Sequence, residues 1–348
     1  MTILVTGASG FIGSYIVQEG LDKGFEVWAG VRGTSSRGYL QDERIRFAQL
    51  DLSNPTLLRQ QLCQYKEQLG GKGWDYVVHA AGATKCLDEQ DFYRTNTDGT
   101  RHLIDALQAE GMVPMRFVFV SSLSIFGAIR EKAVRKPSAD NPWIYSPILL
   151  TDMPQPNTAY GRSKLQAEEY LQQQKDFPFT ILRPTGVYGP REKDYFMMAK
   201  SIKQHIDFAV GFQPQEITFV YMMDVVQAVY KCMDAPAAVG KGYFLSDGEV
   251  YNSRRFSDLL QQYLGNPWVL HVKAPLWLLR IICWVSTRVS HITGKMNALN
   301  NDKYHILSQR NWQCDIEPAI QDFGYQPQWK LEQGVPATIK WYQDNGWI

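Results

Sequence analysis

Thr6-Gly7-Ala8-Ser9-Gly10-Phe11-Ile12-Gly13, which follows the apolar run Ile3–Val5, decides how the chain is read. Glycines fall at 7, 10 and 13. Gly7 permits a tight turn off a strand, Gly10 lets backbone approach a pyrophosphate, and Gly13 lets the next helix pack close on the sheet. The N–H groups of that helix N-terminus are then offered to phosphate, with Ser9, Phe11 and Ile12 in the same turn as further contacts. A glycine pattern alone is weak, since an ordinary strand–helix turn can carry one. Here it sits between a strand and the amphipathic segment Phe11–Lys23, the context that supports a dinucleotide site.

Outward from this turn, apolar runs alternate with helical patterns. Val27–Val31, Arg46–Leu50, Tyr76–His79, Phe117–Val120 and Phe179–Leu182 read as short buried strands. Between them, Pro55–Leu69, Glu89–Glu110 and Ala159–Gln174 read as helices. The alternation predicts an α/β fold: a doubly wound parallel Rossmann sheet with helices on both faces. After about Tyr188 strands become few, and Asp224–Asp234, Arg254–Leu264 and Gln333–Asp344 look helical. The expected division is a dinucleotide-binding domain over 1–187 plus about 224–246, which returns to the sheet near Gly242–Leu245. A smaller, mostly helical C-terminal substrate lobe takes 188–223 and 247–348.

The cofactor calls for NAD or NADP, with NADP preferred. About 20 positions after the glycine turn, NAD-binding folds place an acidic residue on the ribose 2′-hydroxyl. Arg32 stands there, followed by Gly33-Thr34-Ser35-Ser36-Arg37. Arginines among small hydroxyl residues suit a 2′-phosphate, although a solvated loop arginine is common. Asp51 and Leu52, after the third strand, are placed to contact the adenine. Ala80-Ala81-Gly82, after the fourth, is small enough to let the cofactor lie close.

Tyr160-Gly161-Arg162-Ser163-Lys164 puts a tyrosine and a lysine one helical turn apart. A free phenol titrates near 10 and is a poor acid or base at neutral pH; an adjacent cation favours the phenolate. The pair can then serve a carbonyl or alcohol as proton donor or acceptor. Many helices contain this spacing by accident, so its position matters. Upstream, Val120-Ser121-Ser122-Leu123-Ser124-Ile125-Phe126-Gly127 leaves the fifth strand at the edge where ligands lie. Ser122 is the candidate to hold the substrate oxygen, with Ser124 its competitor; a turn cap is the plain alternative for either.

These residues together resemble the extended short-chain dehydrogenase/reductase family. The likeness covers the glycine turn, Asn96-Thr97-Asp98-Gly99-Thr100, the Ser-Ser-x-x-x-Phe-Gly segment, the tyrosine–lysine motif and Arg183-Pro184-Thr185-Gly186-Val187-Tyr188-Gly189-Pro190, from residue 1 to about 235. It implies a catalytic set of Ser122, Tyr160 and Lys164, with Lys164 also on the nicotinamide ribose. Pro184 and Val187 would line the nicotinamide pocket, and Asn96 would brace the neighbouring backbone. Nucleotide-sugar epimerases and dehydratases of this family usually carry asparagine where Gly186 stands. Gly186, the Arg32 loop and Tyr221-Met222-Met223-Asp224-Val225 look more like 3β-hydroxysteroid dehydrogenases and dihydroflavonol-type reductases. Thr84, Ser124, Phe126, Tyr188, Tyr221 and Met222 are the candidate substrate residues.

The bulk numbers narrow the rest. With 36 basic and 35 acidic residues in 348, nothing suggests nucleic acid as a partner. Five scattered cysteines form no CxxC pair, so neither a disulfide scaffold nor a metal site is expected. A strand at the very N-terminus leaves no room for a signal peptide, and a cytoplasmic homodimer is expected, paired through the helices carrying Asn96 and Tyr160. Ala274–Thr293 is the most apolar stretch, interrupted by Arg280 and Arg288. It reads first as a helix packed on the substrate lobe, with an interfacial helix over 274–293 that lets an apolar substrate enter from a membrane as the lesser alternative. Phe196, Met197, Met198, Phe208, Phe212, Phe219, Trp277 and Trp284 add bulk to that lobe and favour an apolar ligand. A sugar diphosphate would instead need bases such as Lys200, Lys203, Arg254 and Arg255. The expected activity is hydride transfer between a nicotinamide and a carbonyl or secondary alcohol of a bulky apolar, steroid- or flavonol-like substrate. A nucleotide-sugar epimerase or dehydratase with bound NAD is the first alternative. A non-catalytic dinucleotide sensor is the second; such proteins typically lose the tyrosine or lysine, and both are present here.

Overall fold

The computed structural model describes residues 1–138, 142–294, 297 and 299–348. Its main sheet contains β1 (Thr2–Thr6), β2 (Glu26–Val31), β3 (Arg46–Gln49), β4 (Tyr76–His79), β5 (Arg116–Val120), β6 (Phe179–Pro184) and β7 (Lys241–Leu245). The order is β7-β6-β5-β4-β1-β2-β3, and every neighbouring pair is parallel. The chain winds outward from β1 in one direction and from β4 in the other. The switch point therefore lies between β1 and β4, where a doubly wound sheet opens its crevice.

Strands such as Arg116–Val120 are buried along their whole length, as a sheet covered on both faces requires. On one face α1 (Phe11–Asp22) packs Ile16, Val17 and Leu21 with Val225, Val226 and Val229 from the later helix Met222–Met233. On the other, α2 (Pro55–Gln68), α3 (Gly99–Ala109) and α4 (Ala159–Gln172) contribute Leu58, Leu62, Leu103, Leu107, Ala167 and Leu171. The expected single helix over Glu89–Glu110 is divided. A short turn, Glu89–Phe92, runs into a π-helical segment, Tyr93–Asp98, before α3 begins. The wide turn carries Asn96 fully inside the protein, where its amide is occupied on every side; π-segments of this kind concentrate at functional positions.

Beyond β6 the lobe holds more strand than the sequence suggested. Gly186–Tyr188 pairs with Phe219–Tyr221, Glu216–Ile217 with Tyr251–Asn252, and Ile206–Val210 with Leu270–Ala274. Its separate core gathers Tyr188, Phe219, Tyr221, Phe256, Leu331, Val335, Ile339 and Tyr342. The helix Glu317–Phe323 departs from the expected division. Ala319, Phe323 and Tyr325 pack into the core that α1 shares with the sheet, and Phe323 stands edge-on to Tyr243 of β7 at 5.0 Å.

One buried ion pair fastens α4 to the sheet. Arg183, in β6, donates from Nε and Nη2 to the Glu168 carboxylate at 2.7–3.1 Å, and both side chains are almost wholly buried. Glu168→Ala leaves that guanidinium without its partner inside the protein. The expected loss is about 3–5 kcal/mol of stability, read as a lower urea midpoint at unchanged slope.

Candidate active site

The glycine turn is held by contact. Gly7 has φ +70°, and a β-carbon there would fall 2.6 Å from the Ala81 backbone nitrogen. A β-carbon on Gly13 would lie 2.2 Å from the Gly7 carbonyl oxygen, so α1 can approach β1 only with glycine at that position. Gly10 N–H donates to the Gly7 carbonyl at 2.9 Å and occupies the N-cap of α1, with no side chain satisfying the helix N-terminus. An uncapped N-terminus facing the crevice fits an anionic pyrophosphate. Ser9, Phe11 and Ile12 lie in this same turn, all partly exposed.

Arg32 is exposed past the end of β2, its backbone N–H donating to Ser35 Oγ at 3.1 Å. Arg37 is exposed in the same loop. Its guanidinium lies 4.1 Å over the Phe47 ring, so a cation–π contact on β3 positions it. Asp51 accepts from Ser53 N–H and Oγ–H, which orients its carboxylate in the turn after β3, and the Leu52 carbonyl bonds His102. Arg191 was not anticipated. It donates to Ser14 Oγ at 2.7 Å and lies about 4 Å over both Tyr15 and Tyr39, against the first turns of α1. Only its position, immediately after Gly189-Pro190, hinted at it.

Beneath the crevice a buried network joins β1, β4 and the π-segment. Thr100 Oγ1 donates to the Asn96 carbonyl at 2.6 Å, so it accepts from His79 Nε2–H at 2.9 Å, and His79 Nδ1 accepts from Thr6 Oγ1–H at 2.7 Å. Burial, helped by the Lys164 charge, pulls the imidazole down to about 3 and keeps it neutral. Asn96 accepts from Ala83 N–H at 2.7 Å and donates to the Ala83 carbonyl and Ser163 Oγ. The loop Ala80–Ala83 is thereby locked to α4. A β-carbon at Gly82 would lie 3.2 Å from Lys164 Nζ.

Ser122, Tyr160 and Lys164 are brought together at the ends of β5 and α4. Ser122 lies within side-chain reach of the Tyr160 phenol and accepts from Ser124 N–H at 3.1 Å, so the serine also caps the turn. Lys164 Nζ donates to the Val120 carbonyl at 2.8 Å and lies 4.6 Å over Phe119. Burial pulls this ammonium to about 8, with Glu168 opposing the shift. The tyrosine runs against the sequence argument. Burial pushes the Tyr160 phenol above its ordinary value, and the Ser122 hydrogen bond opposes the rise only in part. The lysine cation is spent on Val120 instead of on the phenolate.

The N-terminus of α4 has two caps. Thr158 Oγ1 accepts from Gly161 N–H at 2.9 Å. Asp302, from the distant helix Asn301–Ser308, accepts from Ala159 and Tyr160 N–H at 3.1 and 3.2 Å. A carboxylate there also complements the helix dipole. Nothing in the sequence near Tyr160 pointed to Asp302. Beside it, Asp194 binds both Lys85 and Lys303, the latter at 3.0 Å, and so joins the loop after β4 to the lobe over the crevice.

The substrate residues divide. Thr84 is exposed and Ser124 partly so. Phe126, Tyr188, Tyr221 and Met222 are interior packing residues with no side chain open to a ligand. Phe126 stands edge-on to Phe244 at 5.0 Å, Tyr188 packs on Tyr221 and Phe256, and Tyr221 stacks on Trp329 at 4.6 Å. Pro184 is buried at the end of β6, and Val187, partly buried, packs on the core beneath the crevice. Gly186 is informative. A β-carbon there would fall 2.5 Å from the Tyr195 hydroxyl, so Tyr195 fills the space an asparagine side chain would need.

The profile of the NAD dependent epimerase/dehydratase family matches residues 3–252. UDP-glucose 4-epimerase of Vibrio cholerae is 25% identical over 97% of this chain and 94% of its own length. Sterol demethylase protein B of Methylococcus capsulatus is 29% identical over 77% of this chain and 76% of its own. Among solved structures, dTDP-glucose 4,6-dehydratase of Streptomyces venezuelae, with NAD bound, superposes at a TM-score of 0.76. It is 22% identical, with 100% of this chain and 98% of that one covered.

Two outcomes follow from this geometry. Asp302→Ala, which leaves the Thr158 cap in place, is expected to cost about 0.5–2 kcal/mol of stability and to lower turnover more than dinucleotide affinity. Lys164 sets a pH limb. Its folded pKa, about 8, lies below the ordinary 10.5, so the unfolded chain holds the proton more tightly. Stability should therefore rise with pH across that window, while dinucleotide binding weakens as the ammonium is lost. Thermal melts and binding titrations of the wild type against Lys164→Met check both signs.

Proposed function

Since the chain belongs to the NAD dependent epimerase/dehydratase family, we propose that it is a dehydrogenase or reductase acting on a bulky, largely apolar ketone or secondary alcohol. The observation that carries the reading is the convergence of Ser122, at the end of β5, on Tyr160 and the buried Lys164 ammonium, one helical turn apart in α4. The nicotinamide dinucleotide supplies the hydride chemistry. The protein supplies the rest. Ser122 holds the substrate oxygen, Tyr160 passes a proton to or from it, and Lys164 keeps positive charge beside that oxygen. A phenol pushed up by burial remains protonated at neutral pH, which suits donation to a carbonyl oxygen during reduction.

Three features favour an apolar ketone over a nucleotide sugar. Tyr195 fills the place where the sugar-nucleotide members usually carry asparagine. Arg254 is held by Asp207 and Asp258, and Arg255 by Glu332, so two of the four bases a diphosphate would need are already paired. The relative named sterol demethylase protein B lies among the chain's similar proteins. Arg32, with no acidic residue in its place, favours NADPH over NADH through the 2′-phosphate.

Titration of the purified protein with both dinucleotides, after release and identification of anything bound, tests the reading. Exchangeable NADPH should bind more tightly than NADH, and Arg32→Glu should reverse the order. Tyr160→Phe should lower kcat by about 10²–10⁴ while keeping NADPH affinity. Non-exchangeable NAD together with turnover of a nucleotide sugar would overturn it.

A further inference from the structure

The helix Leu276–Thr293 reverses the usual surface pattern. Of its 18 residues only Leu279, Cys283 and Ser290 are buried. Trp277, Ile281, Trp284 and Ile292 are 64, 52, 54 and 85% exposed, and Leu278, Ile282, Val285 and Val289 are exposed beside them. The expected packing of this helix on the substrate lobe is therefore not what the structure shows. The apolar surface continues beyond the helix. The strand Leu270–Ala274 leads into it through Pro275 and pairs with Ile206–Val210, and these strands expose Leu270 and Phe208. Exposed Phe212 lies under Lys273 Nζ at 5.3 Å, beside the start of the helix. Soluble monomers rarely expose contiguous apolar surface on this scale.

Charge and residue type say what covers it. From Leu259 to Asn301 the chain carries Lys273, Arg280, Arg288 and Lys295 and no aspartate or glutamate, although the protein as a whole is balanced. Arg280 and Arg288 are exposed on the same helix as the apolar residues, and Arg288 lies 5.4 Å over Trp284. Exposed tryptophan recurs at 268, 277 and 284, the side chain that settles at the boundary between headgroup and hydrocarbon. No helix among the described residues is long and apolar enough to cross a membrane. We propose that this face docks on the surface of a bilayer containing anionic lipid, with the helix lying in the interfacial plane.

The docked face borders the catalytic helix. A cavity of about 410 Å³ is lined by Trp284, Thr287, Arg288, His291, Ile292 and Asn301. Asn301 is the neighbour of Asp302, whose carboxylate caps the helix of Tyr160. Docking needs no particular chemistry at the crevice, so it stands or falls apart from the function proposed above.

Flotation of the full chain decides it, using vesicles of phosphatidylcholine alone and of phosphatidylcholine mixed with phosphatidylglycerol. The protein should float with the mixed vesicles, less with the neutral ones, and less again as salt is raised. Lys273→Ala with Arg280→Ala should weaken binding roughly tenfold or more. Trp277→Glu with Ile281→Glu should abolish flotation while leaving the melting temperature and NADPH binding unchanged. Quenching of wild-type tryptophan fluorescence by brominated lipid should accompany binding. A wild type that stays at the bottom of every gradient overturns the proposal, as does a Trp277→Glu/Ile281→Glu variant that floats normally. A wild-type dimer that this variant converts to monomer would show a second copy on the face and overturn it equally.

Discussion

The structure depends on how closely α1 approaches the end of β1. With 2.2 Å between a hypothetical Gly13 β-carbon and the Gly7 carbonyl oxygen, no side chain is tolerated. The approach sets Ile16 and Val17 into the core shared with Val225 and Val229, and Tyr230 closes it with a hydrogen bond to the Ile16 carbonyl at 2.6 Å. The N-terminus of α1 is left uncapped at the sheet's switch point, because its N-cap residue is Gly10, which has no side chain to offer. One steric constraint thus serves both packing and phosphate recognition.

The second centre of organisation is α4, which carries Tyr160 and Lys164 and is fastened along its length. Asp302 and Thr158 cap its N-terminus, and Asn96 and Thr97 bind Ser163 in its first turns. Arg162 reaches Glu89, and Glu168 is held by Arg183 of β6. These partners come from four separate stretches of chain. The proposed proton transfer by Tyr160 would gain from such fixing, since small displacements from productive geometry are costly in rate. Burying Lys164 is tolerated because the Val120 carbonyl accepts from it and Glu168 lies within electrostatic range.

Much of the fold was legible because parallel strands buried on both faces write continuous apolar runs into the sequence. Each motif also follows the end of a strand of the parallel sheet, so the motifs gather along one edge although the strand order reverses between β1 and β4. The parts that could not be read depend on pairings over long sequence distances. Asp302 lies 142 positions from Tyr160, and nothing local distinguishes it from a solvated aspartate. Arg191 and the π-segment around Asn96 depend equally on what the fold brings beside them. Tyr188, Tyr221 and Phe126 carry the composition of a ligand wall but supply lobe and interlobe core, because one apolar residue reads like another until its neighbours are known. For Lys164, spacing sets proximity to Tyr160, while the Val120 carbonyl decides where the ammonium points.

Buried polar groups such as Asn96, Glu168 and Glu216 have partners, and the cores gather large apolar side chains such as Trp74, Phe117 and Tyr342. The helix Leu276–Thr293 inverts this pattern, with Ser290 inside and Trp277, Ile281 and Ile292 outside, and Phe208, Phe212 and Leu270 continue the exposed apolar surface beside it. A local concentration of such reversals marks a place where something other than folding selected the residues. Its position gives that break a consequence. The chain that leaves this helix becomes the segment Asn301–Ser308, which supplies Asp302 to the helix of Tyr160 and Lys303 to the Asp194 cluster over the crevice. The outer face and the cap on the helix of Tyr160 are thus supplied by two helices that follow one another along the chain.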